Sequence, residues 1–512
     1  MNGAESVLRT LASSGVELCF ANPGTSEMHL VAAMDRVPKV RGVLTLFEGV
    51  ASAAADGYAR MAEMPAATLL HLGPGFGNAF ANVHNAYKGR TPMVNLVGDH
   101  AVAHKPLDAP LASDVEGIVR PASHWVRTAM DARSAAPLTA EAVAAARAHG
   151  VATLILPADA GWNESLGPVA PRPVPAKPSV PDEAVEAAAR ALRSGRAALL
   201  LGGATTREPG LRAAARIGAA TGAQLFHDTF PPRLERGGGR PRATLLPYIV
   251  ELALEALKGL DHLVIAGSKD PVGFFAYPGL PSRLADPSTE ITVLARPEED
   301  AVAALEALAD AVNAPSSIKV EPLERVALPT SGALDLQTLP AVIGALLPDD
   351  AVVVDEAVTA SVFIQQTTMA AGEHDYLYLT GGAIGWGLPT AAGAALGAPG
   401  RPVVCLEADG SAMYTNQALW TMAREGLDVT TIVVANRSYA ILEFEFQRVG
   451  ATGDAKAAHA LMDIGRPELD FTAMARSMGV PARRVDDVVG LADAFREAIA
   501  EPGPHLIEAV MA

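Results

Sequence analysis

The sequence predicts an α/β protein built from three doubly wound parallel-sheet units. Short, wholly apolar runs alternate with segments of helical periodicity, which is the pattern of a parallel sheet covered on both faces. Turn residues close each run, and two proline-rich, aperiodic stretches divide the chain. At 512 residues the chain exceeds one ordinary core, and length alone suggests about three domains.

The first unit, residues 1–165, opens on a helix face made by Ala4, Val7, Leu8 and Leu11, with Gly15 as terminator. The apolar run 18–21 breaks at Asn22-Pro23-Gly24. Residues 67–72 read as a strand, Gly73-Pro74-Gly75 as a turn, 78–87 as a helix, and 93–97 as a buried strand closed by Gly98-Asp99. Residues 168–181 contain many prolines and suit an extended linker. The second unit, 182–315, carries strands at 197–201, 262–266 and 291–294, with a helix at 211–221. It holds no phosphate-cradling motif, and Gly202-Gly203-Ala204 reads as a structural turn. An irregular stretch, 320–334, leads to the third unit, 335–512, with buried strands at 351–354, 403–406 and 430–434. Polar residues follow these last strands. In open α/β sheets, ligands sit beyond the carboxyl ends of strands, so a site is expected there.

Composition narrows the function. Half the residues are hydrophobic and 19% are charged, the balance of a globular protein. The formal charge of −17 disfavours nucleic acid or an anionic membrane as partner. No run approaches the ~18 apolar residues of a membrane span, and the N-terminus lacks the pattern of a signal peptide. Cys19 and Cys405 lie in apolar runs and read as buried thiols, with a reducing cytoplasm the natural compartment.

The strongest motif is Ala408-Asp409-Gly410-Ser411, with Asn436-Arg437-Ser438 beginning 27 positions after Asp409. Each piece ends a predicted strand, and a crossover helix at 416–424 would bring Asp409 and Asn436 to one sheet edge. Mg²⁺ takes hard oxygen ligands in an octahedron, typically one or two carboxylates plus phosphate oxygens. The Asp409 carboxylate, the Asn436 amide oxygen, the Ser438 main-chain carbonyl, two diphosphate oxygens and a water would complete it. Gly410 permits close approach to a phosphate and Ser411 can donate to one.

This pattern resembles that of the thiamine-diphosphate enzymes, which include acetolactate synthases and the benzoylformate and pyruvate decarboxylases. The chain departs from the family's Gly-Asp-Gly at Ala408 and carries Arg437 after Asn436; neither change removes an expected ligand. A second stretch, Leu46-Phe47-Glu48-Gly49-Val50-Ala51 through Gly57-Tyr58-Ala59-Arg60, resembles the segment where the family places one glutamate before a helix. The resemblance assigns Glu48 to the cofactor's pyrimidine ring, where a carboxylate favours the imino tautomer that generates the reactive carbanion. Asp56, Tyr58 and Arg60 read as structural. A third stretch, Gly381 to Pro389, resembles the loop that wraps the pyrimidine; it places Gly382 at the cofactor and Ile384 as the apolar wedge beneath it. Tyr439 lies in the loop that carries the metal ligands.

The resemblance runs through the whole chain, in the order pyrimidine-binding, central and diphosphate-binding domains. It implies a homodimer or homotetramer with active sites at subunit interfaces, acting on a small 2-oxo acid. Asn22 to Glu27 is similar to the loop that contributes a substrate-facing hydroxyl in benzoylformate decarboxylase, which Thr25 would supply. His71, in the run to Asn78, aligns with an active-site histidine of that enzyme and could shuttle a proton at neutral pH. Phe444 is a further candidate for the apolar wall. The second histidine of that enzyme has no counterpart at 272–279, and the best overall similarity is to proteins labelled acetolactate synthase large-subunit-like. Flavin contacts cannot be placed on the central unit, so no FAD is expected. The expected activity is decarboxylation of a 2-oxo acid with carboligation to a second carbonyl. The alternatives are a simple decarboxylase that releases an aldehyde, an oxidase-type enzyme carrying FAD, and a non-catalytic regulatory subunit.

Overall fold

Apolar strands give this chain three separate sheets. A computed structural model describes residues 1–450 and 455–512. The first sheet holds β1 (Leu18–Ala21), β2 (Arg41–Leu44), β3 (Ala66–Leu70), β4 (Met93–Asp99), β5 (Trp125–Thr128) and β6 (Val151–Pro157). Their spatial order is β2-β1-β3-β4-β6-β5, parallel throughout. Strands β3, β4 and β6 are buried along their whole length, as their unbroken apolar runs require.

The middle of the chain contributes β7 (Ala197–Leu201), β8 (Gln224–His227), β9 (Arg233–Arg236), β10 (Thr244–Leu245), β11 (His262–Ala266) and β12 (Glu290–Ala295). Five of these form a parallel sheet in the order β10-β8-β7-β11-β12. The sixth, β9, leaves it. The last part of the chain adds β13 (Val352–Glu356), β14 (His374–Tyr378), β15 (Val403–Ala408), β16 (Val429–Ala435), β17 (Ala482–Val485) and β18 (His505–Val510). The third sheet runs β17-β18-β16-β15-β13-β14-β9, with β9 antiparallel on its edge. Thus a strand from the middle of the chain completes the sheet of the C-terminal part. The expected linkers at 168–181 and 320–334 carry almost no regular structure.

Small residues join the first unit to the third. The helix Glu48–Ala62 crosses the helix Gly387–Gly397 backbone to backbone. A Cβ on Gly393 would lie 1.8 Å from the Ala54 carbonyl oxygen, and one on Gly57 would lie 2.1 Å from that of Thr390. Any larger side chain would force the helices apart.

Local expectations needed correction at the end of β3. The strand expected at 67–72 ends at Leu70, because Leu72 takes φ +51° and begins a helix, Leu72–Gly89. Gly73-Pro74-Gly75 is the first turn of that helix and not a separate turn. Proline is tolerated there because N–H groups of a first turn have no intrahelical acceptor. The crossover helix expected at 416–424 runs Ala418–Glu425, and a second helix, Asp409–Thr415, precedes it. Cys19 and Cys405 are both buried and free. Among the described residues no helix is long and apolar enough to cross a membrane.

Candidate active site

Two groups of polar residues gather at the carboxyl ends of strands in the first and third sheets. The first centres on His71, which directly follows β3. Leu72, the next residue, is buried yet holds φ +51°. A non-glycine residue in the left-handed region is strained, and such strain is tolerated where it aims a functional side chain. Here the sharp turn presents the imidazole. Nδ1 of His71 lies 2.9 Å from Oε2 of Glu27 and 3.0 Å from Oγ of Ser26. Glu27 is fully buried; it also accepts the Gly24 N–H at 3.0 Å and the Ser26 hydroxyl. A carboxylate facing Nδ1 keeps the proton there and leaves Nε2 for exchange. The ring lies against Gly24, where a Cβ would come within 2.1 Å of it, so glycine is required by space.

Glu48 begins the helix Glu48–Ala62 and is 6% exposed. Its Oε2 accepts from the Asn78 amide at 3.0 Å. Gly75 stands between the two acid–base candidates: its hypothetical Cβ would lie 3.1 Å from His71 Cβ and 3.3 Å from Glu48 Oε1. The fold therefore brings Glu48 and His71 together. Thr25 is exposed on the short turn Thr25–Glu27, and the hydroxyl that reaches His71 belongs to its neighbour Ser26. Glu27 and Ser26 escaped sequence reasoning, although both sit in the quoted Asn22–Glu27 run. Replacing Glu27 with Gln keeps the shape and removes the charge; turnover is expected to fall about tenfold with unchanged folding. Steady-state kinetics and circular dichroism would check this.

The second group follows β15 and β16. Asp409 is 2% exposed, accepts the Gly410 N–H at 2.8 Å and the Arg437 N–H at 2.6 Å, and burial raises its pKa. No described residue places a cation on it. A carboxylate buried without a counter-charge is costly, and a divalent cation would supply the missing charge. Asn436 follows β16, the strand next to β15, and its Oδ1 accepts the Ser438 N–H at 3.0 Å. Among the described residues no cluster of three or more His, Cys, Asp or Glu side chains could hold a metal. A cation here would therefore depend on amide and main-chain oxygens and on phosphate, which is the donor set for Mg²⁺. The Tyr439 ring lies over Gly410, within 2.3 Å of where a Cβ would stand. The Ser411 hydroxyl is committed inward, donating to Glu407 at 2.7 Å.

Gly382 and Ile384 lie in the turn that precedes the helix Gly387–Gly397. Its carbonyls are held from the first unit: Asn85 donates to Ala383 at 2.8 Å and Asn82 donates to Gly385 at 3.0 Å. Asn82 also donates to the Gly49 carbonyl at 3.0 Å, so one amide ties the residue after Glu48 to the residue after Ile384. Asn78, Asn82 and Asn85 share one face of an otherwise mainly apolar helix, a signal the sequence offered at i, i+4 and i+7. Phe274 of the middle unit packs on Gly382. Phe444 is 39% exposed in the helix Ala440–Arg448, with Arg448 over its ring at 5.4 Å.

Residues 1–118 match the N-terminal TPP-binding domain of the thiamine pyrophosphate enzymes, and residues 358–509 match their C-terminal TPP-binding domain. The chain belongs to the thiamine-diphosphate enzyme family. It is 53% identical to a Mycobacterium tuberculosis protein provisionally named acetolactate synthase large subunit IlvX, over 100% of this chain and 99% of that protein. It is 30% identical to benzoylformate decarboxylase of Pseudomonas aeruginosa, over 97% and 96% of the two chains. The fold superposes with a TM-score of 0.86 on the thiamine diphosphate-dependent 4-hydroxybenzoylformate decarboxylase of Rhodococcus jostii, at 24% identity, covering 100% and 99%. This thiamine-diphosphate enzyme is thus of the acetolactate synthase and benzoylformate decarboxylase type.

Proposed function

We propose that the protein decarboxylates a 2-oxo acid and transfers the resulting acyl unit to a second carbonyl, an acetolactate synthase-like carboligation. The observation that carries the reading is the pairing of Glu48 with the Glu27-oriented His71 about Gly75. Bound thiamine diphosphate supplies a carbanion for attack on the 2-oxo carbonyl and a sink for the charge left when CO₂ departs. Glu48 would accept a hydrogen bond at the pyrimidine ring, with Asn78 fixing its carboxylate. Gly382 and Ile384 would support the cofactor from below. Asp409, Asn436 and the Ser438 carbonyl would hold Mg²⁺, with Gly410, the main chain of Ser411 and Tyr439 lining the diphosphate. His71 would move a proton at Nε2, and the Thr25 hydroxyl would face the substrate.

A copy of the chain is read as working within a homodimer or homotetramer. In support, among the described residues no hydrogen bond or ion pair joins Glu48 or His71 directly to Asp409. Met413, Tyr414, Leu442 and Phe444, near the proposed metal ligands in sequence, are all exposed apolar side chains that a second copy would cover. A sedimentation experiment showing an active monomer would refute this.

Removing the metal carboxylate isolates the second group. Asp409→Ala is expected to abolish Mg²⁺-dependent retention of thiamine diphosphate on gel filtration, and normal retention would end its assignment as a ligand. For the reaction, the protein with cofactor and Mg²⁺ is incubated with pyruvate, 2-oxobutyrate or benzoylformate, following CO₂ release and products by NMR. A 2-hydroxy-2-methyl-3-oxo acid from pyruvate supports carboligation. An aldehyde alone favours the simple decarboxylase, a reading to which the 30% identity with benzoylformate decarboxylase lends weight.

A further inference from the structure

Two of the three asparagines on the helix Leu72–Gly89 are sealed from water: Asn82 is 2% exposed and Asn85 fully buried. A carboxamide in a core is costly unless its two N–H groups and its oxygen are all taken. Here they are. Asn82 donates to the Gly49 and Gly385 carbonyls, each at 3.0 Å, and its oxygen accepts from the Asn85 amide at 3.0 Å. Asn85 gives its second N–H to the Ala383 carbonyl at 2.8 Å and accepts the Ala383 N–H at 3.2 Å. The two amides form a closed relay with no spare donor.

Every main-chain group that these amides touch flanks a residue assigned to the cofactor. Gly49 follows Glu48, and Ala383 and Gly385 stand on either side of Ile384. A Cβ on Gly381 would lie 2.5 Å from the Asn85 oxygen, so glycine there leaves room for the amide. The third asparagine, Asn78, holds the Glu48 carboxylate itself.

The third unit already holds the turn after Ile384 from its own side. Glu356 accepts the Gly385 and Gly387 N–H groups at 2.9 and 2.6 Å, and the Thr415 hydroxyl donates to the Gly385 carbonyl at 3.0 Å. The close helix crossing at Ala54 and Gly393 joins the two units further along. The relay joins them at the ends that carry Glu48 and Ile384. Groups that grip a ligand must be held within about 0.5 Å, and supporting side chains that do not touch it are what hold them.

We propose that Asn82 is a positioning residue: through the Gly49 and Gly385 carbonyls it sets the seats of Glu48 and Ile384. Its own amide is fully committed, so it offers nothing to a ligand. The inference rests on the cofactor roles given to Glu48 and Ile384 above. Because the relay lies within one chain, it acts on both seats whether they serve one site or neighbouring sites of an oligomer.

The test uses the full-length protein with thiamine diphosphate and Mg²⁺. Asn82→Leu nearly keeps the volume and removes both donors. Val83→Ala loosens the buried face of the same helix and leaves the relay intact. Urea unfolding gives the stability of each variant, quenching of tryptophan fluorescence gives cofactor affinity, and near-ultraviolet circular dichroism at saturating cofactor reports the setting of its rings. Asn82→Leu is expected to weaken affinity about tenfold, the size of effect when buried hydrogen bonds are left unmade, and to change the dichroism of the bound cofactor. Val83→Ala should leave both within about twofold of the wild type even where it costs as much stability. Ile384→Ala should weaken affinity about tenfold by itself. Combined with Asn82→Leu, the loss should fall short of the product of the two single losses, because both act on one seat. If Asn82→Leu does not fold, Asn82→Ser, which keeps one donor, takes its place with an expected loss of about threefold. Wild-type affinity in the Asn82 variant, equal damage from Val83→Ala, or fully multiplicative losses with Ile384→Ala overturns the proposal. Unchanged affinity in Ile384→Ala strikes its premise, and the two failures are told apart because that variant leaves Asn82 in place. None of these readouts needs turnover, so a wrong substrate in the product assay leaves the test intact.

Discussion

Glu48→Gln is expected to lower turnover by a factor of roughly 10²–10⁴ while thiamine diphosphate stays bound. The side chain is buried at the start of its helix and held by the Asn78 amide. Gln is nearly isosteric and its amide oxygen can still accept from Asn78, so packing should survive. In the role proposed for Glu48, what it lacks is the negative charge that would favour the cofactor's imino tautomer. Cofactor content after gel filtration and single-turnover CO₂ release separate the two effects. Loss of both would make Glu48 a binding residue, and unchanged turnover would remove it from the chemistry.

The second large effect concerns stability. Arg60→Ala should destabilise the fold by about 3–5 kcal/mol, because it strands a buried charge. Asp56 is fully buried and Arg60 is 3% exposed. The guanidinium grips Asp56 with two N–H groups, at 2.9 and 2.8 Å, and lies 4.8 Å from the centre of the Trp386 ring. Its remaining donors reach the Pro232 carbonyl at 2.9 Å, the Tyr378 carbonyl at 2.7 Å and the Thr380 hydroxyl at 3.1 Å. One side chain thus touches all three parts of the chain. Lys should not rescue it, since a single ammonium lacks the planar fork. Urea unfolding followed by tryptophan fluorescence measures the change; a midpoint like that of the wild type would show that the junction does not limit stability.

Much of this was legible in residue order. The apolar runs at 93–97, 197–201, 262–266 and 403–406 became buried parallel strands, because an unbroken apolar run suits a strand covered on both faces. Arg60 and Asp56 read as structural and are the hub of the unit junction. The motif residues Asp409, Asn436 and Ser438 follow β15 and β16, which pair directly, so their nearness followed from the strand–crossover–strand pattern.

Other features depended on contacts that local patterning cannot encode. Strand β9 reads as part of the middle unit, yet its partner is β14 of the third sheet. Leu72 was expected to end a strand, and its left-handed turn makes sense only once His71 is seen beside Glu27. Glu356 and Glu407 look like two unrelated acidic residues until register sets them opposite each other.

The sequence by itself determined the three-sheet class and the family, because periodicity and motif spacing are short-range properties of the chain. Tertiary structure alone decided which hydroxyl faces His71 and how Asn82 ties Gly49 to Gly385. Those outcomes depend on burial and on pairing between distant segments, where a buried polar group must find its partner inside the protein.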